Sequence, residues 1–291
     1  MLICPAQYGK LTWKAPLKQG AVERVGTIGM TKWLLRSMTE LSSRKWISKI
    51  TGRLAQSSVS RHFIPRFAKL YGIRVEEAEK RLQEYGTLNE FFTRRLKPGA
   101  RPVHPHASVL VSPVDALITG AGPITDGTVL NIKGQDYTIE ELLNNSPRAA
   151  NYEHGYCLVL YLSPTDYHRI HNPVSGKVVE RDHIPGKVYP VNDFGLRNMR
   201  RVLSRNERLA TYIRHQSGEV AVVKVGAMNV SSIKYVDEKS TSVEKGSELA
   251  YFEFGSTVVL LTEDDTFTLR NDLMVGKRVK MGEELGRLAE K

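Results

Sequence analysis

The sequence predicts an α+β fold, with amphipathic helices in residues 1–100 followed by a β-rich domain over 101–291. Two observations carry this. Before residue 100 apolar residues recur at helical spacing, and after Ser108 short β-branched runs alternate with Gly, Pro, Asn and Asp. Charge separates the chain as well. Residues 1–70 hold 13 Lys and Arg against only Glu23 and Glu40, so the whole formal excess of +11 lies there, with all three tryptophans. The remainder is electrically balanced, with 29 residues of each sign.

Taken in order, residues 1–25 show no apolar run after the first basic residues, so no secretory leader is expected. Met30, Trp33, Leu34, Met38 and Leu41 form one helical face, with Lys32 and Arg36 opposite. After Ser42-Ser43 a second face follows, Trp46, Ile47, Ile50 and Leu54, with Arg44, Lys45, Lys49 and Arg53 opposite. These predict two short helices hinged at the serines. A basic helix with Trp at its apolar edge suits an anionic bilayer surface, where each Lys or Arg contributes about 1 kcal/mol. The plainer alternative is packing on the body with a solvated basic face. No zinc-finger, RNP or helix-turn-helix pattern is present, so no nucleic-acid partner is expected. Val75, Ala78, Leu82 and Tyr85 predict a further helix ended by Gly86. Thr87 and Glu90 predict a capping box for a short helix through Phe91 and Phe92, stopped by Pro98-Gly99.

The expected strands are Val109–Val111, Thr128–Ile132, Leu158–Leu162, Lys177–Val179, Val220–Val225, Thr257–Leu261 and Phe267–Leu269, with short helices at Glu140–Leu143 and Arg200–Leu203. The longest apolar run, Cys157 to Leu162, is far too short to span a bilayer. Cys4 and Cys157 are too few for a disulfide scaffold and fit a reducing compartment. A weak repeat pairs Val243–Ala250 with Val279–Gly286. Its Val-x-x-Gly-x-x-Leu pattern resembles hairpins of lipoyl- and biotinyl-type β domains. No lysine sits in a carrier setting, so neither group is expected to be attached.

Four places combine reactive side chains with tight backbone: Ser112–Asp115, Ser163–Pro173, Gly226–Val230 with Asn229, and Phe254-Gly255-Ser256-Thr257. Each alone reads as a turn. His168 and His171 would share one side of a helical turn and could bind a metal. The proline-rich flanks and the lack of a third ligand at finger spacing argue against it, and no metal site is expected.

In combination these segments resemble the phosphatidylserine decarboxylase family of pyruvoyl enzymes. The likeness runs from Tyr85 through Asn89-Glu-Phe-Phe-Thr-Arg-Arg-Leu-Lys-Pro-Gly-Ala-Arg-Pro102, Asp166-Tyr-His-Arg-Ile-His-Asn-Pro173 and Val225-Gly-Ala-Met-Asn-Val230 to Gly255-Ser-Thr-Val-Val-Leu-Leu261. Ala116, Met228, Ala250 and Phe254 depart from the family's usual Gly, Thr, Gly and Leu. None of these removes a reactive group.

The resemblance implies a proenzyme that cleaves itself between Gly255 and Ser256 into a β chain, 1–255, and an α chain, 256–291. Ser256 is then the nucleophile and becomes the pyruvoyl group that forms a Schiff base with the substrate. It also implies that His171 is the base for cleavage and that Asp115 orients it, by the logic of a serine-protease triad. His168 is the candidate proton donor in decarboxylation, and Asn229 and Gly226 could line the site. The implied partners are phosphatidylserine, an anionic membrane surface and a second copy of the chain. The implied location is the cytoplasmic face of a membrane, as a peripheral protein. Two alternatives stay open: a pyruvoyl decarboxylase of another amino acid or phospholipid, and a non-enzymatic, membrane-tethered β module.

Overall fold

The computed structural model describes residues 52–125, 128–132, 135–191, 193–227, 233–253 and 256–290. The two basic helices expected between Met30 and Leu54 lie outside these residues except for their last turn, where the chain is helical over 52–56 and Leu54 is exposed.

A helix that the spacing did not announce runs over Ile64–Tyr71. Pro65 sits in its first turn, where a missing N–H costs nothing, and Gly72 ends it in the left-handed conformation at φ 60. It buries Ile64 and Ala68 in a small core with Ile73, Tyr85 and Phe91. The helix expected over Val75–Tyr85 is replaced by two 3-10 turns, Val75–Glu77 and Leu82–Glu84. Ala78 between them is extended and bridges Leu96. Lys97 N–H donates to Glu77 O at 2.8 Å and Glu79 N–H to Arg95 O at 2.9 Å. This ladder takes backbone groups that a helix would have needed. The short helix Leu88–Phe92 does form. Thr87 Oγ1 caps the Glu90 N–H at 3.1 Å, while the Glu90 carboxylate accepts from Gly86 N–H at 2.8 Å, one residue earlier than a capping box requires. This helix ends at Phe92, ahead of Pro98-Gly99.

The strands described are β1 (Val109–Val111), β2 (Ala116–Pro123), β3 (Thr128–Ile132), β4 (Gln135–Thr138), β5 (Tyr156–Leu162), β6 (Arg169–His171), β7 (Gly176–Ile184), β8 (Arg208–His215), β9 (Gly218–Gly226), β10 (Ile233–Tyr235), β11 (Ser242–Val243), β12 (Glu248–Phe252), β13 (Ser256–Thr262), β14 (Phe267–Leu269), β15 (Arg278–Val279) and β16 (Glu284–Leu288). Short helices at Ile139–Leu142, Asp193–Asn198 and Val202–Arg205 interrupt them. An antiparallel sheet of eight strands, ordered β11-β7-β8-β9-β13-β5-β2-β15, forms the spine. Two three-stranded sheets, β10-β12-β6 and β1-β16-β14, accompany it.

The spine is covered on both faces. Val259, Leu261, Val159, Val223 and Val225 belong to one core, and Val258, Leu260, Leu158, Leu160 and Val222 to the other. Strands buried on both sides read as unbroken apolar runs, which is why β5, β9 and β13 were the clearest in the sequence. The second core also takes Ile170, Ala250 and Phe252 from β6 and β12 and Leu110 and Leu285 from β1 and β16.

The internal repeat does not form hairpins. β11 joins β7 in the spine while β12 joins β6 and β10; likewise β15 joins β2 while β16 joins β1 and β14. Each repeat is a strand–turn–strand step from one sheet to another. What the copies share is the turn, with Gly246 at φ 82 and Gly282 at φ 84. The pattern recorded the need for a left-handed residue there, not a pairing partner.

Candidate active site

Ser256 opens β13, the spine strand held between β9 and β5, with Gly226 opposite on one side and Leu162 on the other. Side chains alternate along a strand, so Ser256 faces the same way as Val258 and Leu260, into the second core. Ser256 is fully buried, and its Oγ has no hydrogen-bond partner among the described residues. Gly226 places no side chain beside it. A buried hydroxyl left unpaired costs about 1–3 kcal/mol, so it asks for an explanation.

The Asp166–Pro173 segment supplies two imidazoles of different character. His168 is fully buried, packed against Phe92 with ring centroids 4.0 Å apart and the planes tilted by 39°. Its Nδ1 lies 2.8 Å from Asp166 O. A carbonyl only accepts, so Nδ1 carries the proton and Nε2 keeps a lone pair. That Nε2 is buried and unpartnered. Burial, aided by the charge of Arg94, lowers the His168 pKa to about 3, which keeps the ring neutral. The His168 carbonyl accepts the Phe252 N–H at 3.1 Å, which ties it to the strand leading toward Ser256.

His171 ends β6 opposite Glu248. Its Nδ1 donates to Gly246 O at 2.7 Å, and its Nε2 accepts from the Tyr167 hydroxyl at 3.1 Å. Burial lowers its pKa, against the pull of the Gly246 hydrogen bond and the charges of Glu248 and Asp115. Ile170 belongs to the second core, so alternation turns Arg169 and His171 to the other face of β6, where Arg169 pairs with Glu248 at 2.8 Å.

Asp115 makes no hydrogen bond to His171. Arg101 donates to both of its oxygens, Nε at 2.8 and 3.0 Å, and the Met281 N–H reaches Oδ1 at 2.8 Å. The orienting contact expected of Asp115 is made instead by Gly246 O. Asp115 stays near enough for its charge to act on the ring. Its backbone neighbourhood is close too, since Pro113 O accepts the His171 N–H at 2.9 Å. Gly226 donates its N–H to Glu207 O and accepts from Asn206 Nδ2, both at 2.8 Å. Asn229 and Gly255 lie outside the described residues.

The sequence reading missed Arg94 and Tyr167. Both stand inside quoted motifs, and neither residue type signals a buried position.

The site thus holds a buried, unpartnered serine hydroxyl at the head of a central strand and two buried histidines on the neighbouring Asp166–Pro173 segment. Comparison with known proteins gives the class directly. The family model for phosphatidylserine decarboxylase matches residues 88–287. A phosphatidylserine decarboxylase proenzyme of Anoxybacillus flavithermus is 46% identical over 262 residues, covering 90% of this chain and 98% of the relative. Proenzymes of the same name from Bacillus thuringiensis and Bacillus mycoides are each 45% identical, over 90% and 88% of this chain and 100% and 97% of theirs. The chain is therefore a carboxy-lyase. It belongs to the phosphatidylserine decarboxylase family, whose reaction converts phosphatidylserine to phosphatidylethanolamine and CO2.

Proposed function

We propose that Ser256 is the nucleophile of self-cleavage and the source of the pyruvoyl group. The observation that carries this reading is its buried, unpartnered hydroxyl at the start of β13. Oγ attacks the Gly255 carbonyl carbon and turns the peptide into an ester. Loss of the Ser256 α-proton expels the Gly255 carboxylate, and the dehydroalanine left at 256 hydrolyses to a ketone and ammonia. The attack is intramolecular, so proximity contributes to lowering the barrier. Once formed, the pyruvoyl carbonyl supplies the electron sink that decarboxylation of an amino acid requires.

The proton transfers fall to the two histidines. His171, neutral through burial, serves as base in the cleavage step, and the charge of Asp115 stabilises the imidazolium that results. His168 moves a proton at Nε2 during decarboxylation. A second reading gives His168 the cleavage role as well, favoured by its free Nε2 lone pair and by the orientation of His171 across β6.

The cleaved protein is an α chain of 256–291 held in the fold of the β chain, 1–255. It works as a peripheral protein on the cytoplasmic face of an anionic membrane, docked by its basic N-terminal segment, and as a homodimer. No helix among the described residues is long and apolar enough to cross a membrane. A phospholipid substrate that stays in the bilayer is the physical reason for such docking.

Intact mass tests the reading. The wild-type protein is expected as two pieces, one ending at Gly255 and one beginning with a blocked, carbonyl-bearing residue. Ser256→Ala should remain a single chain. Scoring cleavage and decarboxylation separately in His168→Ala and His171→Ala decides between the two assignments. A wild-type protein that turns over lipid as one uncut chain would overturn both.

A further inference from the structure

Arg94, Arg208 and Lys224 are each buried with no ion pair among the described residues. Their surroundings differ. Arg208 is satisfied by backbone carbonyls: Leu142 O at 2.9 Å, Asn206 O at 2.6 Å, Glu141 O at 3.2 Å, and Ser204 O. It ties together helix ends, which is a structural duty. Lys224 donates to Thr211 Oγ1 at 2.6 Å and Val222 O at 3.2 Å, and lies 4.9 Å from the centre of the Tyr235 ring.

Arg94 has a thinner shell, with its guanidinium 5.2 Å from the centre of the Phe91 ring. Only 4% of it is exposed, yet its hydrogen bonds are two marginal ones, to Phe91 O and Thr165 O, each at 3.5 Å. Its Nε has no partner. The acidic groups whose charge it feels, Asp115 and Glu77, are both engaged by Arg101. A buried cation left in this state costs several kcal/mol unless an anion completes it.

Its location says which anion. Thr165 directly precedes Asp166, whose carbonyl holds His168, and Phe92 packs against that same ring. Arg94 therefore stands beside the His168 imidazole, near enough for its charge to act on that ring. We propose that Arg94 binds the phosphodiester of phosphatidylserine while the serine head group reaches Ser256. The inference rests on the decarboxylase reading of this site.

The substrate has a second anion, the carboxylate that leaves as CO2. A guanidinium on that group would stabilise the ground state and oppose the flow of its electrons into the carbonyl sink. The phosphodiester keeps its charge throughout the reaction. A forked guanidinium on it adds affinity and discrimination without raising the barrier.

The test compares wild type with Arg94→Met, which keeps the apolar bulk, and Arg94→Lys, which keeps the charge but not the fork. Processing to the two expected masses reports that each variant folds. Phosphatidylserine and a serine amphiphile lacking phosphate serve as substrates. KM for phosphatidylserine should rise about 10- to 100-fold in Arg94→Met, with KM for the phosphate-free amphiphile changing far less, and the rise should be smaller in Arg94→Lys. Inorganic phosphate should compete in wild type and lose that effect in Arg94→Met. A readout free of turnover is the phosphorus NMR line of glycerophosphoserine added to uncleaved Ser256→Ala, broadened there and sharp in the Arg94→Met double variant. Equal losses on both substrates would assign Arg94 to the carboxylate and overturn the proposal, as would an unchanged KM or an unchanged line. Wild type inactive on phosphatidylserine would sink the site reading itself, a different failure. If Arg94→Met does not fold, Arg94→Lys carries the same comparisons.

Discussion

The carboxylate of Asp115 accepts the backbone N–H of Met281 at 2.8 Å. These residues lie on opposite sides of the proposed cut, so the bond joins what cleavage separates. Arg278 and Asp166 form a second tie of the same kind. Asp115 also anchors Arg101, whose side chain is 4% exposed. Replacing Asp115 by Ala leaves that guanidinium short of a partner and should cost about 3–5 kcal/mol. Denaturant unfolding of the processed protein would measure it. Loss of cleavage with unchanged stability would instead assign Asp115 to the chemistry alone.

Burial of neutral His168 makes stability depend on pH. Its pKa falls from 6.5 to about 3 on folding, so between those values the unfolded chain binds more protons. Stability is therefore intact above pH 6.5 and is lost as pH falls toward 3, at about 1.4 kcal/mol per pH unit for this group. Denaturant midpoints at pH 7 and pH 5 should show it, and His168→Phe should flatten the slope. His171, shifted in the same direction, leaves a remainder.

The two repeated turns should not tolerate a side chain equally. At Gly282 a Cβ would lie 2.5 Å from Pro102 O, a backbone atom, whereas at Gly246 it would lie 2.6 Å from Val103 Cγ2, which can move. Both positions have positive φ, which alone costs an L-residue about 1–2 kcal/mol. Gly282→Ala should lower Tm more than Gly246→Ala. The reverse order would contradict the contact geometry.

Lys224 faces the second core without a carboxylate. Burial, then the charge of Arg181, holds its pKa well below the ordinary lysine value. The unfolded chain binds the proton more readily, so the wild-type protein gains stability as pH rises toward 10.5. Lys224→Met should be neutral or stabilising at pH 7, by up to about 4 kcal/mol, and should remove that gain. Thermal unfolding at pH 7 and pH 9 checks both.

Each run expected as a strand lies within one, and for β5, β9 and β13 the reason is that a continuous apolar run suits a strand covered on both faces. Strands β2, β4, β6, β8 and β10 escaped, being mixed in polarity or short. The helix at Ile64–Tyr71 was legible in Pro65 and Gly72, which mark its ends, more than in its spacing. Val75–Tyr85 has helical spacing yet is pulled extended by pairing with residues 95–97, and nothing local announces that partner.

The chain's chemistry is implied by a family resemblance carried on short segments: a serine after glycine at the head of an apolar strand, and histidines three apart, with a basic stretch far from both. These are local properties, and a covalent or periodic pattern carries them. Which nitrogen of each imidazole bears a proton, which acids hold Arg101, and which buried cations are left without an anion emerged from contacts between distant segments. Their energies depend on burial, and burial exists only once the sheets have closed over one another.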